Sequence, residues 1–341
     1  MVERYMALCL GHPRHGYYMT RDPLGVDGDF VTAPEISQMF GELIGLFIAQ
    51  CWMDLGEPAA MRLVECGPGR GTLMLDALRA MAVVPGLHGA MRVEMIETSP
   101  VLADIQRRTL KAVNLPIHWR ATLADVPDDG APLIILGNEF LDALPIRQYI
   151  RQKGHWHERL VGLDGARLIF GLSPVPEPAL RQAGPEGAVL EVCFPAHGVV
   201  ADLSPRLRRH GGVALFLDYG HTRSGFGDTL QALRRHDFVD PLATPGDADL
   251  TAHVDFEALA RSARGAGLVV HGPIGQGAFL QALGLEARAD QLIRKAPSRQ
   301  KADEVRAAER RLAEMTRTGM GSLFKAIAFS APGQPVPPGG W

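Results

Sequence analysis

The chain has 341 residues, 46% of them hydrophobic and 21% charged, with a formal net charge of −3. That composition fits a soluble globular protein with ample core, and it gives no case for non-specific nucleic-acid binding. No apolar run reaches the roughly 18 residues a membrane span needs, and the scattered Cys9, Cys51, Cys66 and Cys193 form no CxxC pair, so neither a zinc site nor a disulfide framework is expected.

The first 55 residues read as a helical cap and lid. Residues 3 to 10 form a short amphipathic helix, followed by a loop, "GHPRHGYY", whose His12, His15, Tyr17 and Tyr18 pack on the core. The start "MVERYMALCL" contains Glu3 and lacks a cleavage pattern, so no signal peptide is expected and the address is cytoplasmic. From Gly28 to Trp52 a loop becomes a helix, with Thr32 or Ala33 near its cap and Pro34 in its first turn.

Strand and helix patterns then alternate through residues 56–146. "RLVEC" is a strand and "TLMLDALRAMAVV" a helix. Met91 to Thr98 is a second strand, and Ser99 caps the helix that follows, with Pro100 in its first turn. "IHWRA" is a third strand and Leu133 to Leu136 a fourth. Continuously apolar strands separated by helices imply a parallel sheet covered on both faces.

At Arg147 the period changes to two, with turns at Lys153-Gly154 and Asp164-Gly165. This predicts an antiparallel β-meander, placed in an insertion over 147–210. "GAVLEVCF" adds a strand, and a helix covers about Ala196 to Arg209. "GGVALFLDYGH" returns to the core as a fifth buried strand. "DFEALARSARGAGLVVHGPI" reads as helix then strand, "KADEVRAAERRLAEM" as an exposed charged helix and "LFKAIAFS" as the terminal strand. Residues 331–341 read as a disordered tail.

A ligand is expected on the turn "ECGPGRGTL". Glycines at the carboxyl end of the first strand allow a tight turn and close backbone approach, and the helix after them presents free N–H groups. The spacing is G-x-G-x-G, whereas a dinucleotide fingerprint is G-x-G-x-x-G. Glu97 ends the second strand, 26 residues after Gly71 (97 − 71), where an acid would hold ribose hydroxyls. S-adenosylmethionine fits better than a dinucleotide because it has no pyrophosphate to cradle. The expected cofactor-binding residues are Glu65, Gly67, Gly69, Gly71, Thr72, Glu97, Asp29, Thr32 and Asn138. Glu65 orients the turn or faces the ligand's amino group.

Five segments, "GDFVTAPEISQMFGELIG", "ECGPGRGTL", "GNEFLDALPI", "FLDYGH" and "DLTAHVDF", together resemble the MidA-like family of class I methyltransferases, from about Tyr5 to Phe329. The resemblance implies an α/β, Rossmann-like fold: a seven-stranded, mostly parallel sheet with an antiparallel last strand, here with an N-terminal helical cap and an antiparallel β insertion. Mitochondrial members are complex I assembly factors that act as protein arginine methyltransferases. The implied reaction is therefore methyl transfer to an arginine of a complex I subunit, giving symmetric dimethylarginine.

Carboxylates that grip a guanidinium orient it for attack. Glu139 is expected to bind it, with Asp218 as a second candidate, and Asn138 to position donor or acceptor. His253 is a candidate proton acceptor. Glu35 is expected to line the acceptor pocket. The alternatives are that Asn138 and Asp142 cap a helix, that Asp29, Thr32 and Glu35 form a turn and helix start, and that His253 is structural beside Asp255. The absence of an N-P-P-Y loop argues against amide or adenine-amino methylation, and no cluster has metal-ligand spacing. Expected partners are a protein substrate and, as an assembly open to the chain, a second copy of it. Two other functional readings remain open: a dinucleotide-dependent oxidoreductase, and a non-catalytic assembly factor using the meander and "HWHERL" to bind partners.

Overall fold

Apolar strands set the centre of the fold in a computed structural model that describes residues 1–23, 25, 32–316 and 319–341. The chain opens with helices α1 (Val2–Gly11), α2 (Tyr17–Thr20), α3 (Ala33–Ile36) and α4 (Gln38–Asp54). The expected single helix is split at Ser37, whose side chain accepts from the Met39 N–H and starts α4 afresh. Then come β1 (Met61–Cys66), α5 (Thr72–Met81), α6 (Leu87–Ala90), β2 (Met91–Ile96), α7 (Pro100–Thr109), β3 (Ile117–Arg120) and β4 (Leu133–Asn138). Ser99 caps α7 as expected, accepting from the Leu102 N–H.

The second half holds β5 (Arg147–Gln152), β6 (His155–Asp164), β7 (Arg167–Pro176), β8 (Val189–Val192), α8 (Phe194–His210) and β9 (Gly212–His221). After these come β10 (Gln231–Arg234), β11 (Asp237–Val239), β12 (Asp249–Thr251), β13 (Val254–Asp255), α9 (Phe256–Gly265) and β14 (Val269–Gly275). Helices α10 (Gln276–Ala282), α11 (Leu285–Arg294), α12 (Arg299–Ala313) and α13 (Met320–Leu323) precede β15 (Phe324–Ser330).

The main sheet runs β14-β15-β9-β4-β1-β2-β3, with β13 pairing β9 beside it. β15 is antiparallel to both β9 and β14, while β9, β4, β1, β2 and β3 are parallel. This is the class I methyltransferase order. From β1 the chain proceeds outward to β2 and β3, then crosses back to β4 on the other side. The loops after β1 and β4 therefore diverge and open a crevice at the carboxyl ends of the strands.

Both faces are covered. On one, α4 and α5 pack with Phe47, Leu63 and Met91 in the core; on the other, α8 and α9 pack over Val64, Ile135 and Phe216. The approach of α4 to α5 requires Gly45, because a Cβ there would lie 2.6 Å from the Ala77 carbonyl oxygen. A third core joins the N-terminal cap to the small β11-β10-β12 sheet through Tyr5, Met6, Tyr17, Ala232 and Leu250.

Several local expectations differ from the structure. The meander forms a separate sheet, β7-β6-β5-β8, but α8, placed with it by the sequence, packs Val200, Leu203 and Leu207 into the main core. Within "HWHERL", Trp156 is buried against Phe226 and donates to the Gln182 carbonyl at 2.8 Å, while the His157 ring bonds the Ser173 carbonyl oxygen. Their side chains are therefore used internally and are not free for a partner. Residues 331–341 are not a loose tail: Trp341 packs on Phe279 at 5.4 Å and donates to the Pro337 carbonyl. Apolar burial of that one ring is what anchors the segment.

Candidate active site

A cleft of about 790 Å³ opens at the carboxyl ends of β1, β2, β4 and β9. Its floor is the glycine turn. Gly67, Gly69 and Gly71 take φ values of 62°, 55° and 81°, the left-handed region that disfavours side chains. A Cβ on Gly67 would also meet Phe140 at 3.1 Å. The turn brings main chain to the surface of the cleft, and α5 starts directly after it with no side-chain cap.

Glu97 is fixed from two sides. One carboxylate oxygen accepts the Ser99 N–H at 2.7 Å, and the other accepts Nε2 of Gln106 at 2.9 Å. The same Gln106 nitrogen reaches the Gly69 carbonyl at 2.8 Å, and Gln106 Oε1 accepts from the Trp119 indole. Burial raises the Glu97 carboxyl above its ordinary value, and these donors oppose the rise. Gln106 thus couples Glu97 to the turn. Sequence reasoning missed it, although a glutamine on the buried face of α7, beside Leu102 and Ala103, was the signal.

Glu65 lines the cleft at the end of β1, buried, and its Oε2 has no hydrogen-bond partner among the described residues. Burial pushes its carboxyl up to about 8. An uncompensated acid in such a place suits a ligand that brings its own cation. The methionine ammonium of S-adenosylmethionine is such a group, while Glu97 suits the ribose hydroxyls and the glycines leave room for the rest. The residues present fit the cofactor.

Thr72 lines the cleft, but its hydroxyl donates to Glu35, which also pairs with Arg70 at 3.7 Å. Arg70 pairs with Asp22 at 3.1 Å as well, so the N-terminal segment is tied across the turn. Thr32 lines the cleft and precedes α3 without capping it. Asp29 lies outside the described residues.

On the β4 side, partly buried Glu139 sits at φ 50°, and desolvation pushes its carboxyl up to about 7. Its Oε1 accepts from the Ala33 N–H and from Asn138 Nδ2, each at 3.1 Å. Asn138 Oδ1 has no partner among the described residues. No helix follows these residues, so neither Asn138 nor Asp142 is a cap: the chain turns and enters β5. His253 lines the cleft edge-on to Tyr219, with ring centroids 5.3 Å apart, and burial, with His221 and Lys325, lowers its pKa.

Asp218 does not face the cleft. It is 1% exposed, and its Oδ2 accepts the N–H groups of Phe140, Leu141 and Asp142 at 3.1, 2.8 and 3.2 Å. It holds the loop that carries Glu139 and leaves no oxygen for an acceptor. Tyr18, expected on the core, lines the cleft instead and bonds Asp249 at 2.8 Å. Gln231, Asp249 and Thr251, from β10 and β12, complete that wall and were not foreseen.

The family described as "Putative S-adenosyl-L-methionine-dependent methyltransferase" matches residues 43–274, a span that includes the glycine turn, Glu97, Glu139 and His253. This chain belongs to that family. It is 38% identical over 319 residues to "Protein arginine methyltransferase NDUFAF7, mitochondrial" of Danio rerio, covering 86% of this chain and 75% of the relative. It is 37% identical over 363 residues to the Drosophila melanogaster homolog of that protein, covering 96% and 80%. A COG1565 superfamily member from Burkholderia thailandensis, solved with S-adenosyl-homocysteine bound, matches with a TM-score of 0.83 and 32% identity, covering 96% of this chain and 87% of that one. The protein is a S-adenosylmethionine-dependent methyltransferase. The expectations of fold and cofactor hold, and the dinucleotide alternative does not. The relatives' names carry a mitochondrial address, in contrast to the cytoplasmic one expected here.

Proposed function

We propose that this methyltransferase acts on a protein and that its acceptor is an arginine side chain. The observation that carries the reading is a pair of acids at the β4 side of the cleft, Glu139 partly buried and Asp142 buried, without a cationic partner among the described residues. Glu139 and Asp142 are raised mainly by burial, and no positive side chain is among the groups that act on either. Such acids favour a cationic acceptor. The relatives' names, "protein arginine methyltransferase", support the same choice.

In this reading Glu139 binds the guanidinium, Asn138 positions it, and His253 accepts the proton it loses. A neutral imidazole suits that role, and burial favours the neutral form of His253. S-adenosylmethionine supplies an electrophilic methyl group. The glycine turn, Glu65 and Glu97 would hold that cofactor while Glu139 and Asn138 would hold the acceptor nitrogen toward its methyl group, and such positioning would supply much of the rate.

The resemblance in the sequence extends the proposal to a respiratory complex I subunit as the protein acceptor, with symmetric dimethylarginine as product, and a homodimer as the assembly, open to light scattering. The test is incubation of the enzyme and methyl-labelled S-adenosylmethionine with unmethylated complex I from the same cells, followed by mass spectrometry. Label on an arginine is expected. Label confined to lysine, glutamine or carboxyl groups would reject the arginine acceptor.

A further inference from the structure

Where the loop after β4 meets the end of β9, a polar network remains after the cofactor and Glu139 are accounted for. Asp142 is only 6% exposed, lines the cleft, and its Oδ1 has no partner among the described residues. Tyr219 lines the same cleft, and its hydroxyl favours the ionised form of the Asp142 carboxyl against the rise that burial imposes. Gln231 Nε2 reaches the Tyr219 hydroxyl oxygen at 3.2 Å and Thr251 Oγ1 at 3.1 Å. Beside them, the Tyr18 hydroxyl donates to Asp249 Oδ1 at 2.8 Å. Asp142, Tyr219, Tyr18 and Asp249 all line the same cleft. The Asp142 main chain is pinned as well, its carbonyl accepting the Ala252 N–H at 3.0 Å.

A carboxylate this buried, lining a cleft with one oxygen that has no partner among the described residues, is costly in the empty protein. A cationic ligand would remove the cost. We propose that Asp142, braced by Tyr219, binds the acceptor's cationic end, and that Asp249, held by Tyr18, closes the opposite side as a specificity-determining residue. The acceptor's identity rests on the arginine reading above; the role of Asp142 toward a cation does not. Carboxylates reaching in from the β4 loop and from β12 match a flat group with five N–H donors better than the point charge of an ammonium. Leu233, Phe238 and Phe324 line the same cleft, with Phe238 74% exposed, giving the acceptor's methylenes an apolar wall.

The test titrates the protein, saturated with S-adenosylhomocysteine, with N-acetyl-arginine amide and separately with N-acetyl-lysine amide, followed by ligand-observed NMR. The arginine probe is expected to bind the wild type more tightly. Asp142→Asn should weaken it about tenfold or more, as loss of a charged hydrogen-bond partner does, and leave the affinity for S-adenosylhomocysteine within about twofold. Asp249→Asn should narrow the preference for the arginine probe over the lysine probe. Tyr219→Phe removes only a hydroxyl and should weaken the arginine probe about threefold or more; it remains decisive if Asp142→Asn does not fold. Unchanged binding in Asp142→Asn or in Tyr219→Phe, or no binding of either probe by the wild type, overturns the proposal. Preference for the lysine probe with the same dependence on Asp142 would keep the carboxylate's role and reject arginine as the acceptor.

Discussion

Gln106 donates one amide nitrogen to both Glu97 and the Gly69 carbonyl, at 2.9 and 2.8 Å. Glu97 and the glycine turn are therefore linked as one unit, fixed from the buried face of α7. Gln106→Leu keeps the volume and removes the link. It should weaken S-adenosylhomocysteine about tenfold and leave the Trp119 indole unsatisfied, costing roughly 1–3 kcal/mol of stability. Calorimetry and thermal melts read both; unchanged affinity would show that the link does not position Glu97.

Gly69→Val should abolish cofactor binding, because the residue sits at φ 55° and the added side chain blocks the approach to the turn. Equilibrium dialysis with labelled S-adenosylmethionine checks it, and affinity like the wild type's would move the ligand away from this turn.

Glu139→Gln should lower methylation at least about tenfold while leaving cofactor affinity within about twofold, since the change removes a charge from the acceptor side. Full activity in a methyl-transfer assay would remove Glu139 from guanidinium binding.

Asp218→Ala strips an acceptor from three consecutive N–H groups in the loop that carries Glu139. A loss of roughly 2–4 kcal/mol is expected, with activity falling because Glu139 is no longer held. A melting temperature equal to the wild type's would contradict the structural role assigned here. That role was not visible in "FLDYGH". An acid near the end of a strand can point into a cleft or cap a neighbouring loop, and the loop that decides it lies 76 to 78 residues earlier. The same limit hid Tyr18 and Asp249, which meet across 231 residues. The glycine turn was legible because its constraint is local: positive φ at alternate residues. The sheet was legible from continuous apolar strands, and its antiparallel last strand from the resemblance. The short strands β10 to β12 carry too few residues for a period to show.

Glu65 gives the apo protein a pH dependence with a defined sign. Its folded pKa, about 8, lies above the ordinary 4.5. The unfolded chain therefore releases its proton first, and stability is full below about 4.5 and lost as pH rises through about 8. A bound ammonium favours the carboxylate, so affinity for S-adenosylhomocysteine should rise with pH through that window and binding should release a proton. Calorimetry in buffers of different ionisation enthalpy measures the release. Glu65→Gln should remove most of the pH dependence; a variant that keeps all of it would exclude Glu65 as its source.

The central claim is that the Gly67–Gly71 turn and Glu97 hold S-adenosylmethionine. Calorimetric titration of wild type and Glu97→Ala with S-adenosylhomocysteine, with NADH in parallel, tests it most directly. Binding of S-adenosylhomocysteine alone, weakened about tenfold or more in Glu97→Ala by loss of the ribose hydrogen bonds, is the result this account predicts. Equal dissociation constants for the two proteins, or binding of NADH in its place, would contradict it.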